Sequence, residues 1–580
     1  MNKHWINIIL VHIFITILVT FPIIFHLRDK IIGDGGDNYE YYSYQLLTYI
    51  NLRAGKLPFA HSDYLFYPNG FELSLVDGQL VNFIGGVANF FISPPVVYNL
   101  SILAIFILNG VTAYLFFVSI FNSWKYGLLA SIIYGYSYQR LAFGAGFTNL
   151  LPVYGLLLAG YALVKVFKEN DVSWKPFALF FIACLITALC SLQLFLIFLL
   201  GICMVFINFS IFYKSNLKQF FSSHNNLIKL TISGFVFTVV FVLLFRNFLI
   251  LFINNNFIDR LDSVRITHAS AYYLPNRKSP TLLSQLFVLL EQNTSVSLLS
   301  KEETSIDRHV FFGCVEILLV LYYLFMPKKS KFDLFMLCNF TVLFLVSQGK
   351  IPIFPNWILY NNFPFKGIYE TYRLFVLYYL FLTYCVVKAA SHLAKVTKKE
   401  WTYWLLTLLI ILERVSINYY LSPNLNYNYN SVVKSLPGET IMSMPLLKNS
   451  AINNVLTIYN GKKNLDGYTH WASDSVARSD FIIFKNHLSR FLCDLDAQEI
   501  TPQTLSVDEH QRLNNEMLQR LTSNSVNYIV LNKNIYQDPK CANVKEAGEI
   551  LLSPESKNIV KIYEDNYAKI YKIQEQRAPQ

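Results

Sequence analysis

The residues best suited to chemistry are Asp34 and Asp37, set in Gly33-Asp34-Gly35-Gly36-Asp37-Asn38 between a long apolar segment and a tyrosine-rich amphipathic run. Glycine lets the backbone take positive φ and come close to a ligand. A carboxylate on such a loop can take a proton as a general base or bind a hard cation, and the pair would accommodate Mg or Mn. A plainer reading stands beside this one. Asp37 with Glu40 has the spacing of a helix capping box, opening a run from Asn38 to Arg53 that Gly55 and Pro58 close. Capping leaves Asp34 unexplained.

A second set is basic and aromatic. Arg140, Arg246, Glu316, Arg373, Glu413 and Arg414 stand inside apolar runs, with Glu370 just outside one, and ionisable residues in such places are costly enough to suggest function. Snorkelling to the nearer interface accounts for any one alone, least readily for Arg246, which lies furthest from the end of its run. An outward-opening cavity lined by arginines would suit a phosphate or pyrophosphate, which guanidinium grips through two parallel hydrogen bonds. His268, Tyr272, Tyr273, Arg277 and Lys278 fall in one long loop and would cover such a cavity as a lid. No HExxH, GxSxG, Walker or GxGxxG pattern occurs in a matching context, which leaves metalloprotease, serine hydrolase and nucleotide-hydrolysing readings without support.

The elements that must position these residues are membrane spans. Of 580 residues, 54% are hydrophobic and only 15% charged, and the mean hydropathy is +0.37. That describes a polytopic membrane protein. Windows of about 20 apolar residues predict eleven spans, near residues 5–27, 96–121, 124–142, 150–167, 174–190, 192–213, 227–253, 309–326, 332–348, 371–394 and 401–421. Ser191 marks a tight turn between the fifth and sixth. The first, from Trp5, is too long for a signal h-region and lacks a small-residue cleavage site after it, so it reads as a retained span.

Lysines fix the orientation. Lys125, then Lys165, Lys168 and Lys175, then Lys214, Lys218 and Lys229, then Lys328, Lys329 and Lys331, then Lys395, Lys398 and Lys399 all fall in alternate connections, which become cytoplasmic when the N-terminus is inside. The net charge of +11 therefore reports topology, and no nucleic-acid partner is implied. The outer face receives the first loop (28–95), the loops 254–308 and 349–370, and the tail. Asn38–Arg53 and Gln79–Phe91 in the first loop are expected to lie as helices on the membrane surface. Six cysteines sit in apolar runs without metal-ligand spacing and read as packing residues.

The chain is expected to divide into a transmembrane domain, 1–421, and a soluble extracytoplasmic α/β domain, 422–580. In the latter, Thr440–Leu446, Val526–Leu531 and a hairpin over Ile559–Ile573 turning at Asp565-Asn566 read as strands, and Arg490–Leu521 contributes helix. Cys493 and Cys541 would be able to pair there in an oxidising compartment.

A first span, a large outer loop carrying an acidic Gly-Asp motif, many spans and an outer C-terminal domain resemble the GT-C superfamily of integral-membrane glycosyltransferases. Asp37-Asn38-Tyr39, Phe66-Tyr67-Pro68-Asn69-Gly70 and Glu370-Thr371-Tyr372-Arg373 strengthen the likeness. The resemblance implies a GT-C-like bundle of about 11 transmembrane helices in a bacterial inner membrane, using a sugar on a polyprenyl phosphate as donor and a glycan, lipid or protein as acceptor. It places Asp37, or Asp34, as base or metal ligand; on our reading of the residues Arg373, with Arg246 or Arg277, would neutralise the departing phosphate. One departure stands out: Phe143–Asn149 lacks the carboxylate that several such enzymes carry in their second outer loop. The alternatives are an envelope lipid or saccharide transporter or flippase, and a non-catalytic GT-C-like scaffold.

Overall fold

The computed structural model describes residues 3–33, 37–65, 70–169, 173–253, 313–347, 371–415, 429–438, 440–444, 446–447, 462–464, 492–493, 507–523, 525–533, 549, 551–553, 558–566 and 568–574. The helices in chain order are α1 (Lys3–Val19), α2 (Asp37–Arg53), α3 (Gln79–Ala88), α4 (Pro94–Phe121), α5 (Trp124–Gly135), α6 (Tyr138–Ala145), α7 (Tyr154–Phe167), α8 (Trp174–Cys190) and α9 (Leu192–Phe212). They continue with α10 (Lys214–Ser222), α11 (His224–Leu244), α12 (Arg246–Ile253), α13 (Cys314–Phe325), α14 (Lys331–Ser347), α15 (Phe375–Thr397), α16 (Glu400–Arg414), α17 (Tyr429–Ser435) and α18 (Val507–Ser523). The chain forms two compact units, residues 1–26 with 99–420 and residues 27–98 with 421–580.

The first unit is a helical bundle. Each of the eleven apolar windows contains helix, and five stretches are long and apolar enough to cross a membrane among the described residues: Pro94–Phe121, Thr148–Phe167, Leu192–Phe212, His224–Leu244 and Phe375–Thr397. The turn at Ser191 separates two helices. Its backbone is extended (φ −163°, ψ 120°), which ends α8, and its hydroxyl accepts from Leu194 N at 3.2 Å to cap α9. α11 leaves Ile232, Phe235, Val236, Val239 and Leu243 exposed, as a helix bathed in lipid would. His12 locks α1 into the bundle: Tyr136 OH lies 3.2 Å from its Nδ1 and Ser131 Oγ 3.2 Å from its Nε2. A Cβ on Gly110 would stand 2.3 Å from that Nδ1, so α4 must carry glycine there.

Contacts within this unit sort the connections to two ends. Lys168 donates to the Ser119 and Ile120 carbonyls at 2.6 and 2.7 Å, Lys125 pairs with Glu400, and Trp124 meets Trp404 with ring centres 6.3 Å apart. At the same end Lys331 lies over the Tyr213 ring at 5.1 Å, and Phe121 stacks on Tyr384 at 5.3 Å. Ser330 and Asp333 cap each other's backbone at the start of α14, with Ser330 N donating to Asp333 Oδ2 at 2.8 Å and Asp333 N to Ser330 Oγ at 3.1 Å. The lysine-rich connections thus share one end, and the buried arginines lie at the other.

The second unit contains a mixed five-stranded sheet with strand order β5-β3-β7-β9-β8. In chain order the strands among the described residues are β1 (His61–Ser62), β2 (Phe71–Glu72), β3 (Thr440–Met444), β4 (Leu446–Leu447), β5 (Lys463–Asn464), β6 (Leu492–Cys493), β7 (Tyr528–Asn532), β8 (Ile559–Glu564) and β9 (Ala568–Ile573); β3, β7 and the β8–β9 hairpin form where alternation and turn residues placed them, and β5 was not expected. β3 pairs parallel with β5 and β7, while β9 is antiparallel to β7 and β8. Asp565 closes the hairpin, its Oδ1 accepting from Ala568 N at 2.8 Å. Val433, Ile441, Tyr528, Val530, Ala568 and Ile570 make one core. The first loop belongs to this unit, and Asp63 joins it to the sheet through Lys463 Nζ at 2.7 Å. Cys541 lies outside the described residues.

Of the two helices of the first loop, one departs from expectation. α3 keeps an exposed apolar face of Phe83, Ile84 and Val87, continued by Phe90 and Phe91. α2 does not lie on a surface. Its tyrosines Tyr39, Tyr41, Tyr42 and Tyr44 are buried, and so are Asn38, Ser43, Gln45, Thr48 and Asn51, which a membrane-surface helix would give to water. The cause is close packing by glycine: a Cβ on Gly85 would stand 2.5 Å from the Gln45 side chain, and one on Gly86 2.7 Å from Thr48 Cγ2.

Candidate functional site

Candidate residues gather at two places, one in each unit. In the second unit, α2 begins at Asp37 itself, and Gly33 has φ +130° with room for no Cβ, which would meet the Asn38 side chain at 2.2 Å. The glycine there is obligatory. Asn38 Nδ2 donates to Tyr98 OH at 3.3 Å. Glu40 is buried, and its Oε1 accepts from Tyr44 OH one turn on. The side chain of Asp37 and all of Asp34 lie outside the described residues, as do Glu370, His268, Tyr272, Tyr273, Arg277 and Lys278.

In the first unit, the break between α5 and α6 builds a cationic group. Ser137 caps α6, its Oγ accepting from Arg140 N at 3.4 Å, and this places Gln139, Arg140 and Phe143 on one short helix. Asn109 of α4 clamps the chain beyond it, donating to Leu151 O at 2.8 Å and accepting from Val153 N at 3.0 Å. Leu150 O, so fixed, accepts from Arg140 Nη1 at 2.9 Å. The guanidinium lies over the rings of Phe143 and Tyr134, 5.5 and 5.8 Å away.

Phe143 meets Phe147 edge-on at 6.4 Å, and Arg373 lies over the Phe147 ring at 5.3 Å. Arg373 Nη1 donates to Gln193 Oε1, near the start of α9, at 2.5 Å. Two of the predicted arginines are thus brought together across a pair of phenylalanines. These rings occupy the second-loop position where a carboxylate is absent.

Arg140 is 1% exposed and has no carboxylate partner among the described residues. Its Nε and Nη2, both amide atoms of the buried Gln139, and Gln193 Nε2 make no hydrogen bond within the described residues. A buried guanidinium without a counter-charge is expensive. Donors held ready in this way suit an anion.

Arg246 does not join the group. α11 ends at Leu244, the chain turns at Phe245, and Arg246 opens α12 with its side chain exposed. Glu316, Glu413 and Arg414, which by sequence resemble snorkelling or functional charges, are engaged with one another's helices. Arg414 pairs with the buried Glu316 and donates to the carbonyls of Ile132 and Ile133 at 2.8 and 3.0 Å. Sequence reasoning missed Gln139 and Gln193. Their signal was position: each follows a helix-capping serine, Ser137 or Ser191, at the arginine end.

No known protein family's sequence profile matches the chain, and no curated protein sequence does. Solved structures do match. The Archaeoglobus fulgidus oligosaccharyltransferase in complex with Zn and sulfate aligns with TM-score 0.50 at 12% identity over 90% of this chain and 68% of that one. The same enzyme tethered to an acceptor peptide containing the NVT sequon gives 0.51 at 11% over 92% and 69%. The mycobacterial arabinofuranosyltransferase AftD gives 0.56 at 10% identity over 99% of this chain, which spans 40% of AftD. The chain has the GT-C fold.

Proposed function

We propose that this GT-C protein is a membrane glycosyltransferase that moves a sugar from a polyprenyl-phosphate donor to an acceptor hydroxyl on the outer face of the membrane. The observation that carries the reading is Arg140, a buried guanidinium with free donors and no carboxylate among the described residues. Oligosaccharyl and arabinofuranosyl transfer by the solved proteins of this fold supports the reaction class. In the reaction, the acceptor oxygen bonds to the anomeric carbon as the bond from that carbon to the phosphate oxygen breaks. The electron pair leaves with the polyprenyl phosphate, and the acceptor proton passes to Asp37 or Asp34. Arg373 and Arg140 neutralise the charge that develops on the phosphate. Asp34 and Asp37 are also the residues we assign to a divalent cation, Mg or Mn. The 422–580 domain selects the acceptor.

Under this proposal the lysine end is cytoplasmic, in a bacterial inner membrane, and the tail lies outside. A reporter fused at Ser330 should be active only inside and one fused after Leu421 only outside. Asp37→Asn separates catalysis from capping, because Asn caps a helix about as well as Asp but cannot serve as base. Transfer by purified protein should fall by roughly two to four orders of magnitude at normal expression, with Asp34→Asn as the paired variant. Full activity in both would remove the loop from the active site. In cells lacking the gene, loss of a glycan with build-up of its lipid-linked donor is the expected phenotype; accumulation of misplaced lipid alone would favour transport.

A further inference from the structure

The charges behind the arginine group form a connected structure of their own. α16 ends in Glu413-Arg414, and each of these neighbours serves the end of a different helix. Glu413 Oε1 accepts from Val315 N at 3.0 Å, in the first turn of α13, where the helix presents unpaired N–H groups and positive potential. Arg414 Nη1 donates to Ile132 O and Ile133 O at 2.8 and 3.0 Å, in the last turn of α5, where carbonyls and negative potential face it. Tyr138 OH, in the first turn of α6, donates to Glu413 O at 2.5 Å. The end of α16 therefore grips both sides of the α5–α6 break.

The grip is held from behind. Arg414 Nη2 pairs with Glu316 and donates to Tyr379 OH at 3.0 Å, and Tyr379 OH in turn donates to Glu316. Arg414 and Glu316 are 1% and 0% exposed. Tyr379 also stacks on Tyr134 at 6.3 Å, and Tyr134 is the ring beneath the Arg140 guanidinium. Tyr134 OH donates to Val376 O at 2.8 Å, which fixes the ring from α15.

We infer that Glu316, Tyr379 and Arg414 are positioning residues that set the α5–α6 break and the Tyr134 ring so that Arg140 faces its anion; this rests on the reading of Arg140 as a phosphate-binding group. None of the three touches the anion. A loss there should tilt α6 and misdirect Arg140 while leaving its charge in place. Small displacements of this kind cost affinity without removing a contact.

The test is equilibrium binding of undecaprenyl monophosphate to the full-length protein in nanodiscs, read as both affinity and number of sites. Arg414→Lys keeps the charge but loses the fork that spans two carbonyls, and Tyr379→Phe keeps the stacked ring but loses the hydroxyl. Each should weaken binding roughly 3- to 30-fold with the full number of sites. A purely structural role would instead lower the number of sites at unchanged affinity, and that result, or no change, overturns the inference. If Arg414→Lys does not fold, Tyr379→Phe decides alone. Arg140→Gln separates the two claims: if it loses affinity while the positioning variants keep theirs, the phosphate reading stands and the positioning role falls. If Arg140→Gln binds like the unaltered protein, the phosphate reading falls and the positioning role with it.

Discussion

The two ends of the bundle carry positive charge in opposite ways. At one end Lys125, Lys165 and Lys168 are spread over connections and answered locally: Lys165 by Glu169 at 2.5 Å one turn on, Lys168 by backbone carbonyls, Lys125 by the largely exposed Glu400. Water reaches these groups, so each costs little and contributes little singly. At the other end Arg140 and Arg414 are buried, and there the protein itself must supply what water does not. It supplies Arg414 with a carboxylate, a hydroxyl and two carbonyls. Arg140 receives one carbonyl and two rings. The lysines stay within reach of water, Arg414 ties helix ends together, and Arg140 keeps donors without a hydrogen bond among the described residues.

That contrast is most easily broken by treating the two buried arginines alike. Arg414→Gln would leave Glu316 charged and buried without its partner, and should destabilise the protein by about 3–5 kcal/mol. Arg140→Gln removes a charge that no carboxylate among the described residues opposes, so the ligand-free protein should be as stable as before or more so, as binding groups often are held at a cost to stability. Thermal unfolding of both in the same detergent checks this. Equal losses would mean that Arg140 is structural. With undecaprenyl monophosphate the order should reverse, Arg140→Gln losing roughly 10- to 100-fold in affinity, the worth of a hydrogen bond to a charged group.

Much of this frame was legible in the sequence, for reasons that also explain what was not. Span positions follow from apolar length, and the sorting of lysines into alternate connections follows from the cost of carrying them across a membrane; both are local properties. The β8–β9 hairpin announces itself through alternation and Asp565-Asn566. α2 misled because tyrosines at helical spacing describe an interfacial helix and a buried one equally well. What decides between them is Gly85 and Gly86, some forty residues away. The same holds for Glu316 and Arg414, 98 residues apart: each looks like a lone membrane charge until folding joins them. Arg140 and Arg373 could be singled out by type, but not their bridge of Phe143 and Phe147.

A charge pair in the second unit, only partly exposed, should fall between the two extremes. Burial alone would raise the Asp63 carboxyl, but the hydrogen bond and charge of Lys463, with Lys56 further off, hold it below its ordinary value. Its contribution to stability is therefore present at neutral pH, above the unfolded carboxylate range near ~4, and is lost as pH falls through the depressed folded value. Asp63 is 39% exposed, so screening should keep the effect under about 1 kcal/mol. Lys463→Gln should flatten that part of the unfolding-against-pH curve. An unchanged slope would assign it to other carboxylates.

The smallest effect is expected where the lysine end looks most like an engineered ion pair. Lys125 and Glu400 join the start of α5 to the start of α16, and a buried pair in that role would be worth several kcal/mol to break. Here Glu400 is 76% exposed, water screens the attraction, and two long side chains lose freedom to hold one geometry, so their coupling should come to roughly 0.5 kcal/mol or less. A single Lys125→Ala overstates it, because the Lys125 ammonium also lies 5.8 Å from the centre of the Trp124 ring and its stem covers apolar surface. The double-mutant cycle with Glu400→Ala removes that part. A coupling that is small and shrinks further at high salt fits a charge that serves orientation in the membrane. A salt-insensitive coupling above about 2 kcal/mol, outside the range of exposed pairs, would show that the lysine end fastens helices as the Arg414 end does, and the distinction between the two ends would be gone.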